Sequence, residues 1–296
     1  MPEGVELVPR EEILRESEIL EITRAAADLG ICHVKLTGGE PLVRRCCRNL
    51  IKEMKQIPGI ETVTLTTNGI LLGENLAHLK ESGIDGINIS LDTVDPDLYR
   101  KITGGGDVSV VLDAVRRSVE AGIRTKINAV SLTEENEELL KIAEDDPVDV
   151  RFIEIMPIGY GRQFPQVDNR RILEAVRRKH PDIEEDLSVH GPGPAVYYRI
   201  PGFKGAVGFI SAIHGKFCGS CNRVRLTSMG YLKTCLCYED GTDLRRIVRD
   251  TTLTEARRQE MLREAMKEAI LRKPAAHCFD DPEDITERHL MASIGG

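Results

Sequence analysis

Four of the chain's eight cysteines fall within the run CGSCNRVRLTSMGYLKTCLC, Cys218 to Cys237. Cys218-x2-Cys221 is a loop spacing that turns two thiolates toward one centre, and Cys235 follows after thirteen residues and a turn at Met229-Gly230. Two chemistries use such a set. Zinc takes four ligands, and Cys237 or His214 could complete them. An iron–sulfur cluster held by three thiolates leaves one iron open to a small molecule. Spacing alone leaves both open, beside a coincidental group of buried thiols. Arg223 and Arg225 stand two apart in NRVRL, so on a strand both project from one face. Paired guanidiniums next to a metal loop suit a phosphate clamp, against the plainer reading of a solvated strand face.

These residues need a scaffold, and the upstream sequence alternates as one. The β-branched runs HVKL, TVTLTT, GINISL, TKINAV and VDVRFIEIM are separated by amphipathic segments, several ending in Gly30, Gly59, Gly83 or Gly122 at helix C-cap positions. Strands alternating with helices imply an α/β fold with a parallel sheet, barrel or doubly wound, with five strand–helix units. After Gly161 the rhythm changes to a helix, Gly/Pro turns and alternating residues suited to antiparallel strands. The expected division is therefore residues 1–161 and 162–296. In parallel sheets ligands bind at the carboxyl ends of the strands. TGGEP (37–41), TTNG (66–69), SLD (90–92) and MPIGYG (156–161) fall there. Lys126 and Arg151 lie inside strands, where a charge is costly unless it is paired or points into a site. Such polar features at successive strands form a ring around a pocket.

Composition narrows the class. With 30% charged and 41% hydrophobic residues the chain reads as globular, and a net charge of -8 argues against a nucleic-acid or membrane-surface binder. No apolar run approaches the roughly 18 residues of a membrane span. The start lacks a secretory apolar core, and the cysteines lack a secreted framework, so a cytoplasmic protein is expected.

The ordered motifs LTGGEPLVRR, TTNG, INISLDTVDPDLYRKITG, KINAV, RFIEIMPIG, GPGPAVYYRIPG, FCGSCNRVRLTSMGYLKTCL and the final SIGG together resemble the GTP 3',8-cyclase family of molybdenum cofactor biosynthesis, radical S-adenosylmethionine (SAM) lyases. The resemblance spans nearly the whole chain. It implies an incomplete (βα)6 barrel holding one [4Fe–4S] cluster and SAM, followed by an α+β domain with a second [4Fe–4S] cluster whose open iron meets the purine of GTP. Carried over, Cys218, Cys221 and Cys235 hold the C-terminal cluster, with Cys237 and His214 as bystanders. Gly39, Ser90 and Met156 contact SAM, and Lys35, Thr66, Lys126, Arg223, Val224 and Arg225 contact GTP. Arg151 lines the active site, into which the Gly295-Gly296 tail reaches; without the resemblance, that tail reads as a frayed end. The implied product carries a new C3'–C8 bond and passes to cyclic pyranopterin monophosphate synthase; the resemblance names no electron donor and admits a homodimer.

Two departures stand out. The family's first-cluster motif, CxxxCxxC, has no counterpart, and Met1-Pro2-Glu3-Gly4 matches the family's residues just past that motif's last cysteine. The expectation is therefore a chain lacking its first strand and first-cluster ligands and unable to cleave SAM. Cys32, Cys46 and Cys47 have the wrong spacing to substitute. Lys35 stands where members more often carry Arg, which keeps the charge and loses the bidentate fork. The rival readings are a non-catalytic zinc- or nucleotide-binding protein and another radical SAM enzyme with an auxiliary cluster. A colourless zinc protein would favour the first; a richer cysteine set, which this chain lacks, would mark the second.

Overall fold

The computed structural model describes residues 8–132 and 137–294. Helix α1 (Glu16–Asp28) leads into β1 (His33–Leu36), and βα units continue in order. They are α2 (Cys47–Met54), β2 (Thr62–Thr67), α3 (Leu72–Glu81), β3 (Gly86–Ser90), α4 (Pro96–Thr103), α5 (Val108–Glu120), β4 (Thr125–Val130), α6 (Leu140–Asp145) and β5 (Asp149–Ile153). Strands β1 to β5 pair in parallel in chain order. These are the five strands expected, and α4 and α6 are helices the pattern did not separate.

Next come α7 (Asn169–Lys179), β6 (Glu184–Asp186), β7 (Val196–Arg199) and β8 (Val207–Ile210). Strand β8 pairs in parallel with β5, and β7 and β6 add antiparallel strands beyond it. One eight-stranded sheet thus runs β1-β2-β3-β4-β5-β8-β7-β6 and crosses residue 161. The fold is an α/β open barrel wall, mostly parallel, with β1 and β6 as its edges.

The remaining residues form a smaller antiparallel sheet of β9 (Arg225–Leu226), β10 (Tyr231–Lys233) and β11 (Thr242–Asp243), then α8 (Arg245–Val248), α9 (Glu255–Leu271) and α10 (Met291–Ile294). Strand β9 begins only at Arg225, so Arg223 lies in the approach to the strand, short of the full NRVRL strand expected. Turn chemistry follows the sequence where glycine is required. Gly30, Gly83 and Gly122 sit two residues past α1, α3 and α5 with φ of 85°, 79° and 72°, which only glycine adopts without strain.

Two cores matter for positioning. Val63, Leu65, Ile87, Ile89, Ile127, Ala129, Val150, Phe152, Val207 and Phe209 alternate along the strands and face the helices in the main core. A second core joins Leu14, Ile22, Ala25 and Ala26 of the α1 region to Leu232, Leu244, Val248, Leu262 and Met266, so α1 carries the C-terminal elements. Its polar seal is Glu18, 3% exposed. Arg249 Nε donates to Glu18 Oε1 at 2.9 Å, and Arg249 also caps the carbonyls of Glu11 and Ile13. Burial alone would raise the Glu18 pKa, but hydrogen bonds from Arg249 and Arg15 outweigh it and hold the carboxyl at about 2. A pKa held below its unfolded value stabilises the fold above the unfolded range, and that stability is lost as pH falls through 4.5 toward 2. Arg249→Ala should cost about 2 kcal/mol at neutral pH by leaving this carboxylate to Arg15 alone. Its melting temperature should converge toward wild type in acid, read by thermal unfolding at several pH values.

Candidate active site

Strand parity decides what the sheet presents away from the helices. With Val63, Leu65, Ile87, Ile89, Ile127, Val150 and Phe152 turned into the core, the alternate residues line the inner wall. Registers place them in rows: Lys35 beside Thr64, Thr66 beside Asn88 and Lys126, and Ser90 beside Asn128, Arg151 and Gly208. A closed eightfold barrel fills this volume with branched apolar side chains. Here the wall is polar, as a binding cavity requires.

Each buried cation on this wall is held by named partners. Lys126, 7% exposed, lies 2.8 Å from Asp149 Oδ2 and donates to Tyr197 Oη at 2.8 Å and His190 O at 2.6 Å. Arg151, 6% exposed, donates through Nη2 to Asn88 Oδ1 and Asn128 Oδ1, both at 2.5 Å. Its Nε is buried without a hydrogen-bond partner among the described residues. The charges in strands are thus both paired and turned inward. Gly208 makes room for them: a Cβ there would stand 2.9 Å from Tyr197 Cε1 and 3.0 Å from Arg151 Cγ. Asn88, Asn128, Tyr197 and Gly208 escaped sequence reasoning because each works through a partner on another strand.

Arg223 and Arg225 reach the same region. The Lys35 ammonium opens onto solvent in the cavity, yet dense surroundings desolvate it, and Arg151, Arg223, Lys126 and Arg225 repel its charge, pushing its pKa down to about 7. Desolvation first and Arg223 second bring Arg225 down to about 10, with Cys221 and Cys235 opposing. Five cations therefore face one another, with Asp149 paired to Lys126 among them. Val224 points elsewhere; its side chain packs on the second core.

The strand-end loops are tied together by Glu40 of GGEP. It accepts from Thr67 Oγ1 at 2.9 Å and from Asn68 N–H at 2.8 Å, which fixes the loop holding Gly39 onto the TTNG turn. Asp92 of SLD accepts from Val130 N–H at 2.8 Å, and burial pushes its pKa up to about 6. Ser90 is exposed at the end of β3.

The thiols gather under one strap, residues 273–278. Lys273 Nζ donates to Cys221 O at 2.6 Å and lies 3.3 Å from Cys221 Sγ. His277 N–H donates to Cys218 Sγ at 3.3 Å. Cys278 N–H donates to Cys237 Sγ at 3.3 Å, and Cys237 Sγ lies 3.4 Å from Cys235 Sγ. Cys237 itself is fully buried, packed with Met156, Ile158, Ile213, Leu236 and Ile294. Lys233, against the buried Glu287 at 2.5 Å, donates to the carbonyls of Tyr238 and Glu239 and staples the turn after Cys235. His214 is engaged by Glu154, 3.0 Å away. Gly295 and Gly296 lie outside the described residues, but Ile294, 3% exposed, packs in the cluster that includes Met156 and Cys235.

The comparisons agree with this geometry. The family described as the Radical SAM superfamily matches residues 5–145, and Molybdenum Cofactor Synthesis C matches residues 148–279. A protein of Clostridium perfringens (strain 13 / Type A) called GTP 3',8-cyclase is 40% identical over 98% of this chain and 90% of its own length. One of Alkaliphilus oremlandii with the same name is 39% identical over 99% and 91%. In fold, the chain is similar to Streptococcus suis SuiB bound to S-adenosylmethionine, with a TM-score of 0.64 at 15% identity over 94% of this chain and 70% of that one. The chain belongs to the GTP 3',8-cyclase family, radical SAM lyases of molybdenum cofactor synthesis.

Proposed function

We propose that this chain binds GTP between the cation-lined wall and a C-terminal [4Fe–4S] cluster on Cys218, Cys221 and Cys235, and serves its cyclisation to (8S)-3',8-cyclo-7,8-dihydroguanosine 5'-triphosphate. The observation that carries this reading is the meeting of five cations with a three-thiol strand-and-loop set at one mouth. Lys35, Lys126, Arg151, Arg223 and Arg225 supply the charge that a triphosphate neutralises, and Thr66 lies on the same wall. Val224 would contribute through its backbone alone.

The donor set fits a cluster better than a single ion. Three thiols would hold a cluster and leave its fourth iron open, and Cys221 and Cys235 both lie near enough to Arg225 to act on its charge. The His277 N–H faces Cys218 Sγ at 3.3 Å and the Lys273 ammonium lies 3.3 Å from Cys221 Sγ.

Gly39, Ser90 and Met156 would seat SAM at the ends of β1, β3 and β5. When bound and reduced by a cluster, SAM supplies the 5'-deoxyadenosyl radical that takes hydrogen from C3' of the ribose. The chain's own share is placement. The arginines and lysines fix the phosphates, the wall orients the ribose, and the strap-covered loop holds the base side, so that C3' and C8 are within reach. The family resemblance also assigns the Gly295-Gly296 tail to the active site, and Ile294, the last described residue, packs beside Met156 and Cys235. The product would pass to cyclic pyranopterin monophosphate synthase in the cytoplasm.

Cys221→Ser should lose the iron of the C-terminal centre; unchanged iron after anaerobic reconstitution would remove these ligands from consideration. Lys35 gives a second test. At pH 8 a lysine held at about 7 is mostly neutral, and a polyanion beside it raises its pKa, so triphosphate binding should take up most of one proton at Lys35. Calorimetry in buffers of different ionisation enthalpy reads that uptake, which should shrink in Lys35→Met to the smaller share of Lys126, whose pKa burial lowers to about 8. The 296 residues contain no CxxxCxxC, so no 5'-deoxyadenosine is expected from them; its formation would show that other residues hold the first cluster.

A further inference from the structure

Glu154 follows β5 directly, two residues before Met156, and is 1% exposed. No lysine or arginine pairs with it among the described residues' ion pairs; its partners are N–H groups from two distant segments. Oε2 accepts from Ile213 N–H at 2.7 Å and His214 N–H at 3.0 Å. Oε1 accepts from His214 Nδ1–H at 3.0 Å and from Asn169 N–H, at the start of α7, at 3.3 Å. Asn169, also buried, donates through Nδ2 to Phe152 O and Ser211 Oγ, doubling the tie between β5 and the segment after β8.

That segment delivers the first cysteine. From Ser211 to Phe217 it is fixed at successive points: Ile213 and His214 by Glu154, and Ala212 by His277 Nε2–H, which donates to its carbonyl at 2.7 Å. Lys216 adopts φ 40°, a strained left-handed conformation for a side-chain-bearing residue, and pairs with Asp280 at 2.7 Å. Cys218 comes next but one. The segment is thus held from the barrel side by one carboxylate and from the other side by the strap that also covers Cys218 and Cys221.

The oxygens of Glu154 and Asp168 and a ring nitrogen of His214 lie within 4.8 Å of one another, a grouping that invites a metal ion. Four N–H donors already occupy the Glu154 oxygens, and Asp168 caps α7 by accepting from Arg170 N–H. A cation would have to displace those bonds, so the observations favour a clasp.

We propose that Glu154 is a positioning residue that sets the thiol loop, and with it the open face of the C-terminal centre, at a fixed distance from the SAM-side end of β5. This rests on the reading of Cys218, Cys221 and Cys235 as cluster ligands. Glu154→Gln keeps the shape but offers one acceptor oxygen and an NH2 group to four converging donors, so one side of the clasp must open. His214→Ala, at a side chain 30% exposed, opens it from the loop side without disturbing the barrel.

In cluster-loaded protein both variants should retain wild-type iron per chain. GTP affinity should fall about ten- to a hundredfold, as for a binding group displaced by about an ångström. The change that GTP makes in the electron paramagnetic resonance signal of the reduced cluster should shrink in parallel. Wild-type GTP affinity with an unchanged resonance response would overturn the proposal. Joint loss of iron and GTP binding in both variants would overturn it too, since that marks general collapse. Cys221→Ser run alongside separates the two claims: iron retained there sinks the ligand assignment, whereas iron lost there with Glu154→Gln behaving as wild type sinks the clasp alone.

Discussion

Like charges facing one another across a cavity repel, and five cations on and above this wall make that repulsion the constraint around which the mouth is built. The fold answers it in three ways. Asp149 neutralises Lys126; the carbonyl oxygens of Asn88 and Asn128 solvate Arg151 without adding charge; and Lys35, left with the least support, gives up part of its affinity for its proton. Repulsion that remains is available to an incoming polyanion. The apolar layer behind the wall excludes water on that side, so the field of these groups is directed into the open volume.

Strand parity turns that constraint into architecture. Val, Ile and Leu at alternate positions anchor the sheet to its helices, which commits the intervening Lys, Thr, Asn and Arg to the inside as rows in register. A shift of one residue in any strand would exchange the two sets and put charge into the helix-facing core. The same strands that seal the core therefore place the polar groups. The second core, between α1 and the C-terminal elements, then sets where Arg223 and Arg225 approach that wall.

Much of this was legible in the residues. HVKL, TVTLTT and TKINAV match β1, β2 and β4 at both ends, because β-branched runs bounded by turn residues have one reading. The cysteine spacing, the Arg-x-Arg pair and the charges inside strands pointed to residues that the fold brings near one another. What stayed hidden was whatever depends on long-range partners. Lys126 meets Tyr197 across 71 residues, Lys273 meets Cys221 across 52, and Glu154 meets Ile213 across 59. No local pattern marks such pairs, and Glu154 read as one more strand residue. Helix α4, opening at Pro96 behind an Asp95 cap, carried a local signal that went unused.

The pairing of β4 with β5 has a consequence for how the polypeptide can be divided. The two family matches meet between residues 145 and 148, as though two modules were joined there. Yet β5, the first strand of the second, is stitched in parallel to β4, the last strand of the first. Severing the gene near that junction would leave β4 and β5 each with a naked row of amides and carbonyls, an adhesive border prone to capture by neighbouring chains. The halves would have to be made together, and exchanging one alone between relatives would require its replacement to supply the same seam.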